Sequence, residues 1–139
     1  MIVADVNLVA ALLLGGADAP SATAVLRRDA DWAAPALWRS EFRSILAAYI
    51  RRRGLSLDHA VEMFAHAERL LTPRELLPDA AVVLRLVRRS PCSAYDCEYV
   101  AAAERLRVPL ITLDREVLRH FPAIALRPDQ WLAGAGPVP

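Results

Sequence analysis

Lysine is absent from this chain of 139 residues, and all seventeen basic residues are arginine. Phosphoaspartyl enzymes, P-loop NTPases and Schiff-base enzymes use a lysine amine as a point charge or as a nucleophile. The absence of lysine therefore argues strongly against these three classes of enzyme.

Cysteine and histidine are also scarce, because the chain has only two cysteines, Cys92 and Cys97, and three histidines. A structural zinc site needs four such ligands, so we predict no zinc site of this kind. We interpret both cysteines as reduced packing residues, as is usual for proteins in the reducing interior of the cell.

The chain lacks a strong net charge and a long apolar segment. Its formal net charge is +1, so no overall basic field marks a nucleic-acid-binding protein, although a local basic surface is compatible with that total. No segment approaches the roughly 20 apolar residues that cross a bilayer, and the N-terminus lacks the basic region of a signal peptide. We therefore expect a soluble, cytoplasmic protein that does not associate with membranes.

Apolar residues make up 55% of the chain and charged residues 24%, which is typical of a protein with a buried core. Short apolar strands alternate with helices along the sequence, and this pattern favours a parallel sheet covered by helices on both faces. We predict one α/β domain over residues 1–133 and a flexible tail over residues 134–139.

The predicted strands cover residues 2–4, 32–35, 109–112 and, at an edge of the sheet, 123–126. Residues 72–76 are predicted to form either a further strand or an extended link. The predicted helices cover residues 7–14, 21–28, 36–53, 56–70, 79–89, 93–107 and 114–120. Gly54 is expected to end the third helix, because glycine readily adopts the left-handed conformation that follows a helix.

Four acidic residues lie at positions that favour a functional site. Asp5 and Asp114 directly follow apolar strands, and ligands of open parallel sheets bind beyond these strand ends. Glu41 and Asp96 lie on the apolar faces of their helices, where charged residues are rare unless paired or bound to metal. Each acid also has an ordinary alternative: a turn residue at Asp5, a snorkelling side chain at Glu41, a first-turn residue at Asp96 and a helix cap at Asp114.

If the four acids converge, their like charges repel one another and raise several of their pKa values unless a cation neutralises them. Hard divalent cations prefer carboxylate oxygens, so we expect Mg²⁺, or Mn²⁺ as a substitute. Zinc is not expected, because the set contains no thiolate or imidazole.

Four blocks of the sequence resemble PIN-domain proteins, specifically the VapC-like ribonuclease toxins of type II toxin–antitoxin pairs. The blocks are residues 2–7, residues 34–41 with Ile45 and Leu46 after them, residues 95–99 and residues 109–114. Their order and spacing match the family over nearly the whole chain.

The resemblance implies a PIN-like three-layer α/β/α fold with a central, mostly parallel sheet of four to five short strands. It also implies an endoribonuclease that needs Mg²⁺ and hydrolyses RNA phosphodiester bonds. The family's catalytic and metal-binding acidic quartet is matched by Asp5, Glu41, Asp96 and Asp114.

Two polar residues accompany this quartet in the resemblance. Asn7 matches a small polar residue after the first aspartate, and Thr112 matches a hydroxyl before the last one, so both are assigned to support of the quartet or to a phosphate contact. Glu116 is expected to be an exposed helix residue rather than an additional catalytic acid.

Several arginines are candidates for contact with RNA phosphates, with a solvated helix face as the alternative for each. These candidates are Arg39 and Arg43 in the predicted third helix and Arg115 and Arg119 beside Asp114.

The resemblance implies a toxin that inhibits translation and growth, a cognate antitoxin protein and a homodimer. The predicted helices over residues 36–53 and 56–70 correspond to the region that forms the dimer and the antitoxin groove in such toxins. Two alternatives stay open. The chain could be a PIN-like nuclease that acts on DNA or in RNA processing outside such a pair, or a non-catalytic RNA-binding PIN module.

Overall fold

The structure of the chain is a computed structural model, and it describes residues 1–134. The predicted flexible tail over residues 134–139 lies outside the described residues apart from Gly134, which belongs to a turn. Both cysteines are free and buried, as predicted.

Five short strands form one sheet in the order β3-β2-β1-β4-β5, and every neighbouring pair is parallel. The strands are β1 (Ile2–Ala4), β2 (Trp32–Pro35), β3 (Glu75–Leu76), β4 (Leu110–Ile111) and β5 (Ala125–Leu126). The predicted parallel sheet is therefore confirmed, and β5 lies at an edge as expected.

Eight α-helices lie in the described part of the chain. They are α1 (Val6–Leu14), α2 (Ala19–Arg28), α3 (Trp38–Arg53), α4 (Leu57–Leu71), α5 (Ala80–Arg89), α6 (Ala94–Leu106), α7 (Arg115–His120) and α8 (Pro128–Leu132). Helix α1 packs against α2, α3 and α4, whereas α6 packs against α5 and lies across β1, β2 and β4. The sheet lies between two helical layers, so the predicted α/β/α arrangement is confirmed.

The central strands are apolar because both faces of the sheet are covered. Ile2, Val3 and Ala4 of β1 are completely buried, as are Leu110 and Ile111 of β4. A strand covered on both sides needs apolar residues at every position rather than at alternate ones. This explains why the predicted strands are recognisable as short continuous apolar runs.

Helix boundaries follow the capping residues that the sequence offers. The side chain of Ser56 accepts a hydrogen bond from the His59 amide, and Asp79 accepts hydrogen bonds from the first turn of α5. Gly54 ends α3 with φ of 66°, as predicted. Most predicted helices are therefore correct to within two residues.

The structure differs from the predicted secondary structure at two places. The segment over residues 72–76, predicted as a strand or an extended link, begins as a 3-10 turn (Thr72–Arg74), and only Glu75–Leu76 pairs with β2. Pro73 lacks the amide hydrogen that a strand ladder uses, which favours the turn. Helix α8 was not predicted; Pro128 stands at its first position, where proline favours helix initiation.

Among residues 1–134, no single helix is long and apolar enough to cross a membrane. Helices α1 and α2 reach the required length only when taken as a pair, and that pair is bent by 106°.

Candidate active site

Two of the four predicted acids meet because β1 and β4 are parallel neighbours. Ala4 pairs with Ile111 in the sheet, so the residues that follow each strand emerge at the same edge. The Asp5 amide donates a hydrogen bond to the Ile111 carbonyl at 3.1 Å. The carboxyl edge of the sheet thereby brings Asp5 close to the segment that leads to Asp114.

A hydrogen-bonded cluster, which we call the Asp5 network, joins these two chain segments. The Thr112 hydroxyl donates to Asp5 Oδ2 at 2.5 Å, and the Asn7 side-chain amide donates to the same oxygen at 3.1 Å. The Asn7 carbonyl oxygen accepts from the Leu113 amide at 3.1 Å, and Thr112 Oγ1 accepts from the Asp114 amide at 3.0 Å.

Thr112 is the centre of the Asp5 network. Its side chain is completely buried, and besides the Asp114 amide its oxygen accepts a second hydrogen bond, from Asn7 at 3.3 Å. A hydroxyl has one proton to donate and two lone pairs, so Thr112 uses its full capacity and leaves Asp5 little freedom to rotate. Asn7 and Thr112 thus both contact Asp5.

Burial raises the pKa of Asp5 to about 6, because only 7% of the residue is exposed and the charged form loses its hydration. The hydrogen bond from Thr112 opposes this shift, and the negative charges of Asp96 and Asp114 add to it. The sequence predicted that repulsion would raise such pKa values. The main cause is burial, with repulsion a smaller contribution.

Glu41 lies in the first turn of α3 and has the most unusual environment of the four acids. Its pKa is raised to about 7, mainly by burial, with smaller contributions from the negative charges of Asp5, Asp96 and Glu98. The nearby Tyr99 hydroxyl acts to lower this pKa, although the geometry between the two groups falls short of a hydrogen bond. Glu41 Oε1 is therefore a buried carboxyl oxygen that has no hydrogen-bond partner among the described residues.

Asp96 and Asp114 both act as helix-capping residues. Asp96 Oδ2 accepts hydrogen bonds from the Ser93 amide at 3.0 Å and the Ser93 hydroxyl at 2.8 Å, which completes a capping box at the start of α6. Asp114 Oδ1 accepts from the Glu116 and Val117 amides at 2.8 and 3.1 Å. Asp96 is thus a first-turn residue and Asp114 a helix cap, as the alternative to a functional role predicted for each. Within residues 1–134, the second carboxylate oxygen of each residue accepts no hydrogen bond.

The four acids gather at one edge of the sheet without forming a closed ligand shell. Asp5 is influenced by the charges of Asp96 and Asp114, and Glu41 by those of Asp5 and Asp96. Within residues 1–134, however, no three acidic, histidine or cysteine side chains are close enough to hold one metal ion together. The capping bonds of Asp96 and Asp114 explain this, because they hold both carboxylates against their own helices.

The donor set nevertheless fits a hard divalent cation. Its candidate ligand atoms are all carboxylate oxygens, and within residues 1–134 the buried Glu41 oxygen has no hydrogen-bond partner of the kind that a buried carboxyl normally has. A cation that drew the free oxygens of Asp96 and Asp114 towards Asp5 and Glu41 would supply that partner. Metal binding by these residues stays a prediction.

The candidate phosphate contacts have different environments. Arg39 forms ion pairs with Glu68 and Glu75, each at 2.7 Å, and donates to Thr72 at 3.0 Å. Its predicted role as a phosphate contact is therefore not supported, because its guanidinium joins α3 to α4 and β3. Arg115 is exposed at the start of α7, directly beside Asp114.

The remaining candidate arginines are also exposed. Arg43 lies over the Phe64 ring at 5.6 Å, and Arg119 lies on α7. Glu116 is exposed as expected, and it lies 3.4 Å from His120.

The sequence patterns did not identify two residues of α6 that lie near Glu41. Glu98 is half-buried, and its charge raises the pKa of Glu41. Tyr99 is buried, and its hydroxyl faces Glu41. Its position three residues after Asp96 places it on the same helix face, and this spacing is the signal that could have identified it.

The structure is similar to three solved structures of low sequence identity. FitAcB from Neisseria gonorrhoeae has 18% identity and a TM-score of 0.72, over 92% of this chain and 98% of that one. PAE2754 from Pyrobaculum aerophilum, a PIN-domain protein, has 19% identity and a TM-score of 0.74, over 96% and 88%. A toxin–antitoxin complex from Klebsiella pneumoniae has 16% identity and a TM-score of 0.67, over 92% and 98%.

The chain has a PIN-like fold. The fold that the sequence blocks implied is therefore confirmed. No protein-family model and no curated protein matches the sequence. Similarity to these structures shows the fold of the chain.

The raised pKa of Glu41 predicts a pH-dependent stability in the absence of metal. Its pKa rises from 4.5 to about 7 on folding, so the folded state binds the proton more tightly and loses stability as pH rises between these values. In EDTA, we expect the stability advantage of Glu41→Gln over wild type to grow by roughly 2 kcal/mol from about pH 5 to about pH 8. Urea unfolding at several pH values measures this difference, with the exposed acid variant Glu62→Gln as control. Parallel pH profiles for wild type and Glu41→Gln would contradict the assignment.

The Arg39 ion pairs predict a structural rather than a substrate-binding role. Arg39→Met should lower the free energy of unfolding by about 1–2 kcal/mol, because Glu75 and Glu68 lose their shared partner. Arg43→Met, on the exposed face of the same helix, should change it by less than about 0.5 kcal/mol. Urea denaturation of the two variants tests this contrast, and equal losses would show that Arg39 has no special structural role.

Proposed function

We propose that this PIN-like chain is a Mg²⁺- or Mn²⁺-dependent endoribonuclease and the toxin of a type II toxin–antitoxin pair. The observation that carries the proposal is the gathering of four carboxylates at the carboxyl edge of the sheet, with a buried Glu41 oxygen that has no hydrogen-bond partner within residues 1–134. Removal of the Asp5 and Glu41 carboxylates from water is costly for a folded protein unless a cation joins them.

Asp5, Glu41, Asp96 and Asp114 are the residues that would hold the cation. A bound cation of this kind lowers the pKa of a water molecule and neutralises the charge of a scissile phosphate. Within the chain, the Asp5 network keeps one carboxylate fixed while the others adjust. Without a cation the pKa of Glu41 is about 7. The positive charge of a bound cation would lower this pKa, so Glu41 would hold the ion as a carboxylate.

Arg115 is the arginine best suited to contact the substrate. It is exposed, it directly follows Asp114, and its guanidinium can donate two parallel hydrogen bonds to a phosphate group. Its charge offsets the repulsion between the RNA backbone and the cluster of acids. We therefore assign to Arg115 the role of holding the phosphate next to the scissile bond.

A groove between α3 and α4 is suited to an antitoxin. It encloses about 360 Å³ and has an apolar lining that includes Leu46, Ile50, Val61 and Phe64. Val61 and Ile50 are exposed in this groove, and a contiguous apolar surface of this kind is typical of a protein-binding site. The toxin–antitoxin complex from Klebsiella pneumoniae, which has the same fold, supports a protein partner of this type. A homodimer of the chain is part of the same proposal.

Loss of the carboxylates should abolish cleavage of RNA. Asp5→Asn and Asp96→Asn should each lower the Mg²⁺-dependent rate at least about 100-fold, because removal of a ligand charge weakens both metal and transition-state binding. The measurement is cleavage of a labelled RNA, with mapping of the ends, alongside a DNA of the same sequence. Glu62→Gln, an exposed acid on α4, is the matched control and should keep wild-type activity.

Thermal melts must show that each variant is folded. Full RNA cleavage by Asp5→Asn would refute the assignment of the site, and cleavage of the DNA alone would favour the DNA-directed alternative. Induction in a heterologous bacterium tests the toxin role, since wild type should arrest growth and Asp5→Asn should not. Unimpaired growth with an active wild-type enzyme would place the nuclease outside a toxin–antitoxin pair.

A further inference from the structure

The Tyr99 hydroxyl is buried without a hydrogen-bond partner among the described residues. Tyr99 is 2% exposed and lies on α6, which packs against β1 and β2. A buried hydroxyl without a partner destabilises the folded state, and phenylalanine would fill the same space without that cost. Packing alone therefore does not explain why tyrosine rather than phenylalanine occupies this position.

Two polar groups lie beside this hydroxyl. One is the Glu41 carboxyl, whose Oε1 is the second buried side-chain atom without a partner in the described chain. The other is the backbone N–H of Val6, the residue directly after Asp5. Val6 begins α1, and the first N–H groups of a helix have no partner within that helix.

The chemistry of the three groups is complementary. A phenol has one proton to donate and lone pairs to accept with. It can donate to Glu41 while it accepts from the Val6 N–H, and this would satisfy all three groups at once. The resulting chain of hydrogen bonds would connect Glu41 on α3 to the backbone that carries Asp5.

We infer that Tyr99 is a positioning residue, which holds one oxygen of Glu41 by a hydrogen bond so that the other can face the divalent cation shared with Asp5. This inference rests on the proposed function, because it takes Glu41 as a ligand of that cation. Hydrogen bonds from the outer shell of a metal site orient its ligands, and their loss typically weakens metal binding 10- to 100-fold.

A positioning role and a purely structural role predict different changes in the melting temperature of Tyr99→Phe. In metal-free protein the hydroxyl has no hydrogen bond to lose, so Tyr99→Phe should melt at the same temperature as wild type or higher. With Mn²⁺ the hydroxyl supports Glu41, so Tyr99→Phe should be stabilised less by the cation than wild type. A structural hydroxyl would instead lower the melting temperature equally in both conditions.

The test is a calorimetric titration of Mn²⁺ into the metal-free chain of 139 residues, accompanied by melts in EDTA. Tyr99→Phe should raise the Kd for Mn²⁺ about tenfold. In a Glu41→Gln background, Tyr99→Phe should change the Kd by less than about twofold, because the hydroxyl acts through Glu41. Tyr95→Phe is the matched control: Tyr95 is 63% exposed one turn earlier on α6, and its variant should bind Mn²⁺ like wild type.

The possible outcomes separate this inference from the proposed function. If wild type binds Mn²⁺ and Tyr99→Phe binds it equally well, the positioning role is wrong and the nuclease proposal stands. If the Tyr99→Phe effect persists in full in the Glu41→Gln background, Tyr99 does not act through Glu41. If wild type binds no Mn²⁺ at all, the proposed metal-dependent function itself is refuted.

Discussion

The hydrogen bond from the Thr112 hydroxyl to Asp5 is the contact on which the arrangement of the site depends. It joins the end of β1 to the end of β4, and the same hydroxyl accepts the Asp114 amide. Because Thr112 is completely buried and uses all its hydrogen-bonding capacity, the two strand ends cannot shift independently. The parallel pairing of β1 with β4 brings two carboxylates to one edge, and Thr112 determines how the first of them is oriented.

A second constraint is the burial of charge. Asp5 and Glu41 have pKa values of about 6 and 7, mainly because burial removes them from water. In the described part of the chain, neither of them forms an ion pair with a basic residue. Such groups weaken the fold at neutral pH, which favours a functional explanation over a structural one. Arg39 shows the contrast, since its charge is matched by two glutamates and serves to hold α3, α4 and β3 together.

The parts of the site that depend on local sequence were predictable. Asp5 and Asp114 follow apolar strands, so the topology of a parallel sheet places them at the same edge, and Asn7 and Thr112 are close to them in the chain.

The interactions that were missed join residues far apart in sequence. Arg39 reaches Glu75 across 36 positions, and Tyr99 on α6 faces Glu41 on α3. Helical periodicity shows that such side chains point inwards, but only tertiary packing determines which polar group each one meets. The local capping bonds of Asp96 and Asp114 were recognised as alternatives, and they hold these two acids away from a closed ligand shell.

The central claim is that a divalent cation draws the four acids together at the carboxyl edge of the sheet. The most direct measurement is a crystal structure of the protein soaked in Mn²⁺, with data collected at the manganese absorption edge. The account predicts an anomalous peak bounded by Asp5, Glu41, Asp96 and Asp114, with Asp96 or Asp114 turned from its capping position towards the ion. A well-ordered site without such a peak at saturating Mn²⁺, or a peak held by other residues, would contradict it.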